Sequence, residues 1–183
     1  MQQPRMPLDR QPETSDAVHT RVPVFSPSSG RHGTKVTVET NDLPALTPVY
    51  LGLGATRSSF EVLVELVTDE AGRMSAAVSV PSWATADRAH YFVLVDVYFR
   101  PLAVSAAFHV TNQRGAVIRR GRITNESGSC ITMREEGDTQ ELYVLLGDTQ
   151  GLIAGEEVVV EGTLSDSTAC PEGTALLVAQ QLS

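Results

Sequence analysis

Residues 22–39 read VPVFSPSSGRHGTKVTVE, and how this stretch is read decides the fold. Its last five residues alternate, with Val36 and Val38 apolar and Lys35, Thr37 and Glu39 polar. A period of two sends neighbouring side chains to opposite faces, the pattern of a half-buried strand. The middle, Ser26-Pro27-Ser28-Ser29-Gly30 followed by His32-Gly33, is turn chemistry. Two strand-like runs therefore flank a turn-rich insert, and the first packed domain opens here.

Upstream, residues 1–21 are rich in Gln, Pro, Arg and acids and show no periodicity. They read as a flexible leader with too little apolar surface to order itself. The leader has no apolar core of the kind a signal peptide carries. Two expectations follow: an extracytoplasmic protein (cell envelope or secreted) whose export signal was trimmed, or a cytoplasmic one.

Downstream the strand pattern continues. Glu61 to Thr68 alternates, Asp69-Glu70-Ala71-Gly72 is a turn, and Met74, Ala76, Val78 and Val80 alternate again. Glu61 to Val80 thus reads as a hairpin. Tyr91 to Phe99 is apolar on both faces apart from Asp96. Val104, Ala106, Phe108 and Val110 form a last alternating run, with Ser105, His109 and Thr111 on its polar side. No segment has a helical period, and about seven short strands with turns between them read as a β-sandwich.

Several of these motifs resemble one family. Ser26-Pro27-Ser28-Ser29-Gly30 with Gly33-Thr34-x-Val36-Thr37-Val38 is similar to the opening of an IPT/TIG domain, an immunoglobulin-like fold. Thr68 to Arg73, Val80-Pro81-Ser82-Trp83 and Ala107 to Thr111 resemble its later part. The family's usual Gly-x-x-Phe after the first strand is replaced here by Thr40-Asn41-Asp42-Leu43-Pro44. The resemblance spans residues 22–111 and implies a spacer, adhesion or recognition module with no catalytic residues.

After a short linker, 112–115, a second unit fills residues 116–183. Its strand-like runs are Ala116–Thr124, Cys130–Arg134, Glu141–Leu146, Glu157–Leu164 and Ala175–Leu182, separated by glycine-containing turns. Five strands in so short a span resemble a small Greek-key barrel of the oligonucleotide/oligosaccharide-binding type. The run Gly155 to Gly162, with Cys130 after the first strand and Cys170 before the last, is similar to small exported barrel domains. That resemblance implies a disulfide between Cys130 and Cys170, where composition alone also admits two unpaired thiols. Such a bond, closing a loop of about 40 residues, would add roughly 4 kcal/mol by the chain-entropy estimate.

Charge and residue usage narrow the function. The net charge is −8, and residues 113–183 carry five arginines against eleven acids. That acidity, with Tyr143 as the unit's one aromatic, disfavours nucleic acid, which needs a basic groove and stacking platforms. No apolar run approaches the ~20 residues that span a bilayer. The histidines, His19, His32, His90 and His109, are isolated, so no metal or other cofactor is expected. No nucleophile motif appears, so the chain reads as non-catalytic. The leading expectation is a structural or protein-binding module of a bacterial cell envelope or exterior assembly, with a protein partner or self-assembly. Its candidate anchors are Phe92, Leu94 and Tyr98, in the strand that is apolar on both sides. The alternative is a carbohydrate-binding module using Trp83, the only tryptophan.

Overall fold

The computed structural model describes residues 22–55, 58–125, 129–137, 141–167, 170 and 172–182. The expected leader, 1–21, lies outside them. Among the described residues there is no helix, and the strands divide between two compact units. Of the described residues, one unit holds those from Val22 to Ala84 and Ala89–Val110; the other holds Thr85–Arg88 and those from Thr111 to Leu182.

The first unit is a sandwich of two sheets. Its strands are β1 (Val24–Ser26), β2 (Ser29–Gly30), β3 (Lys35–Thr40), β4 (Pro48–Ala55), β5 (Phe60–Val67), β6 (Met74–Ser79), β7 (Ala89–Asp96), β8 (Pro101–Val104) and β9 (Phe108–Val110). The smaller sheet has the order β1-β3-β6, and the larger β2-β9-β7-β4-β5 with β8 also paired to β7. The alternation read in Lys35 to Glu39 holds: Val36 and Val38 are fully buried, and their neighbours point outward. They meet Val49, Leu51 and Leu53 of β4 and Phe92 and Leu94 of β7 in one core.

Three expectations are corrected. Glu61 to Val80 is not a hairpin, because β5 pairs with β4 in the larger sheet and β6 with β3 in the smaller. The turn at Asp69 therefore carries the chain from one sheet to the other. The single alternating run from Val104 to Val110 is broken into β8 and β9 by Ser105. Its buried hydroxyl accepts the Phe92 N–H at 2.9 Å and donates to the Ala106 carbonyl at 2.7 Å. The break also moves His109 off the polar side, and it is buried.

A bulge adjusts β5. Leu51 pairs with Val64 and Gly52 with Val62, which leaves Leu63 without a register partner. The extra residue reverses the alternation. Leu63, Val64 and Leu66 pack on the main core, whereas Phe60 and Val62 pack on the opposite side of the sheet.

The second unit is a closed five-stranded barrel built from β10 (Val117–Thr124), β11 (Thr132–Glu135), β12 (Leu142–Gly147), β13 (Glu157–Leu164) and β14 (Thr174–Leu182). Its order is β10-β11-β12-β14-β13, antiparallel throughout except where β12 pairs with β14 in parallel. Val117, Ile123, Met133, Tyr143, Leu145, Val160, Leu176 and Val178 fill it. Gly121 is required here, since a Cβ would lie 2.3 Å from the Arg134 carbonyl oxygen. Residues 112–115 form a hydrogen-bonded turn that leads into β10, with the Asn112 N–H on the Ala116 carbonyl at 2.8 Å. Cys130 and Cys170 are joined by a disulfide.

Two outcomes test this description. Leu94→Ala, at a fully buried site, should lower the unfolding free energy by about 2–5 kcal/mol in urea titration. A smaller loss would mean that β7 is not internal. Intact mass should rise by two hydrogens on reduction, and ready alkylation of both thiols without reductant would remove the disulfide.

Candidate interaction surface

β7 is buried along its whole length, and its two faces are buried by different groups. Phe92 and Leu94 point into the sandwich core, where Phe92 lies 5.5 Å from the ring of Phe25 and 5.4 Å from that of Phe108. They are thus corrected as interface anchors, because reaching a partner would require opening the core. Val93 and Val95 point to the other face of the sheet and are also buried.

That second face is covered by aromatic rings. Phe60, Tyr50, Val62, Phe99 and Val104 pack over Val93 and Val95. Gly52 opposes Val93 in the register, and a Cβ there would stand 2.6 Å from the Phe60 ring. The missing side chain is what lets Phe60 fold over the sheet. Tyr50 and Phe99 stack with centroids 5.5 Å apart and planes 10° apart.

Phe99 reaches Tyr50 by way of an unusual backbone. It sits in the turn between β7 and β8 with φ of 60°, a left-handed conformation that costs a non-glycine residue on the order of 1–2 kcal/mol. The turn is otherwise tightly made. The Asp96 carboxylate accepts the N–H of Tyr98 at 2.8 Å, the N–H of Arg100 at 2.9 Å and Arg100 Nε at 2.6 Å. Burial acts to raise the Asp96 pKa, but these bonds and the Arg100 charge outweigh it and hold the group below its ordinary value.

The same turn occurs twice more in the chain. Asp69 accepts from the N–H of Ala71, the N–H of Arg73 and Arg73 Nε, and Gly72 takes the left-handed position. Asn112 accepts from the N–H of Arg114 and of Ala116, with Gly115 left-handed. Two copies use glycine and one uses phenylalanine, so the Phe99 ring is retained against its own backbone preference. The turn ends in exposed apolar side chains: Val97 is 44% and Tyr98 75% exposed, with the Arg100 guanidinium 5.3 Å from the Tyr98 ring centre. Of the three expected anchors, only Tyr98 is on the surface.

The alternative site lies elsewhere in the same unit. Trp83 is 39% exposed, with its ring 5.8 Å from His90, and His32 Nε2 lies 2.6 Å from the neighbouring Ala84 carbonyl oxygen. An open groove of about 570 Å³ also runs past Val22, Val24, Glu39, Val67, Asp69 and Arg73. Nothing in the sequence reading marked that groove, because its lining comes from four separate stretches.

In the barrel, the arginine run divides by phase. Arg119 faces inward and is fully buried. Its Nε donates to Tyr143 Oη at 2.8 Å and lies 3.7 Å from Glu135, and its Nη1 donates to the carbonyls of Ala86 and Ile118, each at 2.7 Å. Arg122 faces outward and pairs with Glu157 at 2.7 Å, while Arg114 pairs with Glu161 at 2.9 Å. Burial pushes the Tyr143 hydroxyl up and the Glu135 carboxyl up to about 7; for Glu135 it outweighs Arg119, and Glu141 adds to it.

No protein-family model matches the chain, and no curated protein sequence matches it. Among solved structures, macromomycin is similar, with a TM-score of 0.42 and 18% identity over 50% of this chain and 99% of that one.

The Glu135 shift has a definite sign. Its folded pKa is above its ordinary 4.5, so its contribution to stability is full below pH 4.5 and is lost as pH rises through about 7. The unfolding free energy of the wild type should therefore fall between pH 5 and pH 8 relative to Glu135→Gln. Parallel profiles for the two proteins would show that Glu135 stays ionised in the fold.

Proposed function

We propose that the protein is a non-catalytic structural or protein-binding module that meets its partner at the Val97-Tyr98-Phe99 turn. The observation that carries this reading is Phe99. A large apolar residue occupies a left-handed position that the two sister turns give to glycine, and it stacks on Tyr50 directly after two exposed apolar residues, Val97 and Tyr98, in the chain. Strain of this kind collects where a surface has a task, and exposed aromatics are strong interface anchors. The acid of the turn serves it structurally, since Asp96 accepts from the N–H groups of Tyr98 and Arg100 and from Arg100 Nε.

The two-sheet sandwich supports the IPT/TIG-like reading of residues 22–111. The barrel order, with its third and fifth strands parallel, supports the OB-like reading of the second unit. The disulfide favours an oxidising compartment, hence an extracytoplasmic location. The second reading, carbohydrate binding, is favoured by the partial exposure of Trp83, which leaves part of its ring available to a sugar.

Tyr98→Ser separates these functions. It should leave the melting temperature within a degree or two of wild type, since the side chain is exposed, and abolish co-purification of the partner. Unchanged partner recovery would remove the turn from the interface. Glycan binding lost on Trp83→Ala but kept in Tyr98→Ser would favour the second reading.

A further inference from the structure

β5 ends the larger sheet and β6 ends the smaller, and each has only one strand neighbour among the described residues. Free edges are sites where another chain can add, so proteins blunt them with charges, proline or bulges. β5 is blunted. It carries the bulge at Leu63 and exposes Glu61 and Glu65. β6 is bare. Its residues, Met74 to Ser79, contain no charge and no proline, and they pair with β3 over six consecutive positions without a break.

We propose that β6 is a self-association edge, at which two copies of the chain pair antiparallel and join their smaller sheets into one. This goes beyond the partner reading above, because β6 and the Val97–Phe99 turn belong to different sheets. In a two-fold antiparallel pairing, residues opposite one another must share a face. Centring the axis on Ala77 satisfies this. Ser75 then faces Ser79 of the second copy, the two Ala77 residues face each other, and Ala76 faces Val78 of the second copy. All are small and neutral, and no like charges meet.

Charge favours a second copy as the occupant. On β3, Glu39 pairs with Ser75 and Lys35 with Ser79. Both charged residues are exposed, on the same face as the two serines. Across the proposed junction the row therefore reads Glu39, Ser75, then Ser79 and Lys35 of the second copy. The symmetry axis repeats the row in reverse, so each row carries one acid and one base at its opposite ends, three strand spacings or about 14 Å apart, and no like charges become neighbours. The same pairing through β5 would bring exposed carboxylates together, which is destabilising. A strongly charged foreign strand would find no countercharge on β6 itself.

Sedimentation equilibrium of the full chain, from about 1 to about 100 μM, brackets a micromolar Kd. The wild type should pass from monomer to dimer across this range. Ala77→Lys should remain monomeric throughout, with the melting temperature of the wild type at the dilute end where both are monomers, because Ala77 is exposed and the two lysines would meet at the axis. Glu65→Lys, on the blunted edge, should dimerise as wild type does. A wild type that stays monomeric would overturn the proposal, as would Ala77→Lys dimerising normally or Glu65→Lys failing to dimerise. Should Ala77→Lys not fold, amide exchange of wild-type residues 74–79 decides. Slower exchange at high concentration is expected, and exchange that does not change with concentration would overturn the assignment.

Discussion

The constraint on which the sandwich depends is that β7 has no polar face to give to water. Its inward residues, Phe92 and Leu94, are matched by Leu53 and Leu51 of β4 in register, so the main core is set by side-by-side apolar pairs. Its outward residues, Val93 and Val95, need a second cover, and the sheet supplies one from its own side chains. Gly52 makes room for Phe60, the bulge at Leu63 turns Phe60 and Val62 outward, and Phe99 lies against Tyr50. Each of these departures from regular strand geometry has the same physical origin. Burying a Val side chain is worth about 1.5–3 kcal/mol, enough to offset one left-handed phenylalanine.

Polar residues support this packing. Asp69, Asp96 and Asn112 each close a turn by accepting backbone N–H groups two and four residues on. An acceptor placed at that spacing satisfies donors that would otherwise be unpaired, and it fixes where the next strand starts. The barrel uses charge differently, burying Arg119 on carbonyls and Tyr143. A buried cation of this kind is retained at a desolvation cost, and its worth lies in the bonds that surround it.

Much of the architecture was legible in the residues. Alternation in Lys35–Glu39 gave the buried face of β3 correctly, and spacing in the last third gave five strands that close a barrel. The pairing of Cys130 with Cys170 agrees with the family resemblance. What failed did so where local pattern and tertiary context differ. Two alternating runs joined by a short turn read as a hairpin, and nothing within Glu61 to Val80 shows that its halves enter different sheets. The fate of Phe92 and Leu94 was open because a strand apolar on both faces does not reveal whether its second face is covered from within or from outside. Other signals were available and unread. The phase of Val117, Arg119, Gly121 and Ile123 places Arg119 inside the barrel, and Asp-x-x-x-Arg recurs at Asp69 and Asp96.

The central claim is that β7 is internal on both faces within the lone chain. Native-state amide exchange of Val93, Leu94 and Val95 in the isolated protein tests this most directly. The account predicts that these amides exchange only through global unfolding, with the same free energy as Leu51 and Leu53 of β4. Exchange of Val93 and Val95 through a local opening well below the global free energy would contradict it, and would show that the second face is completed by something outside the chain.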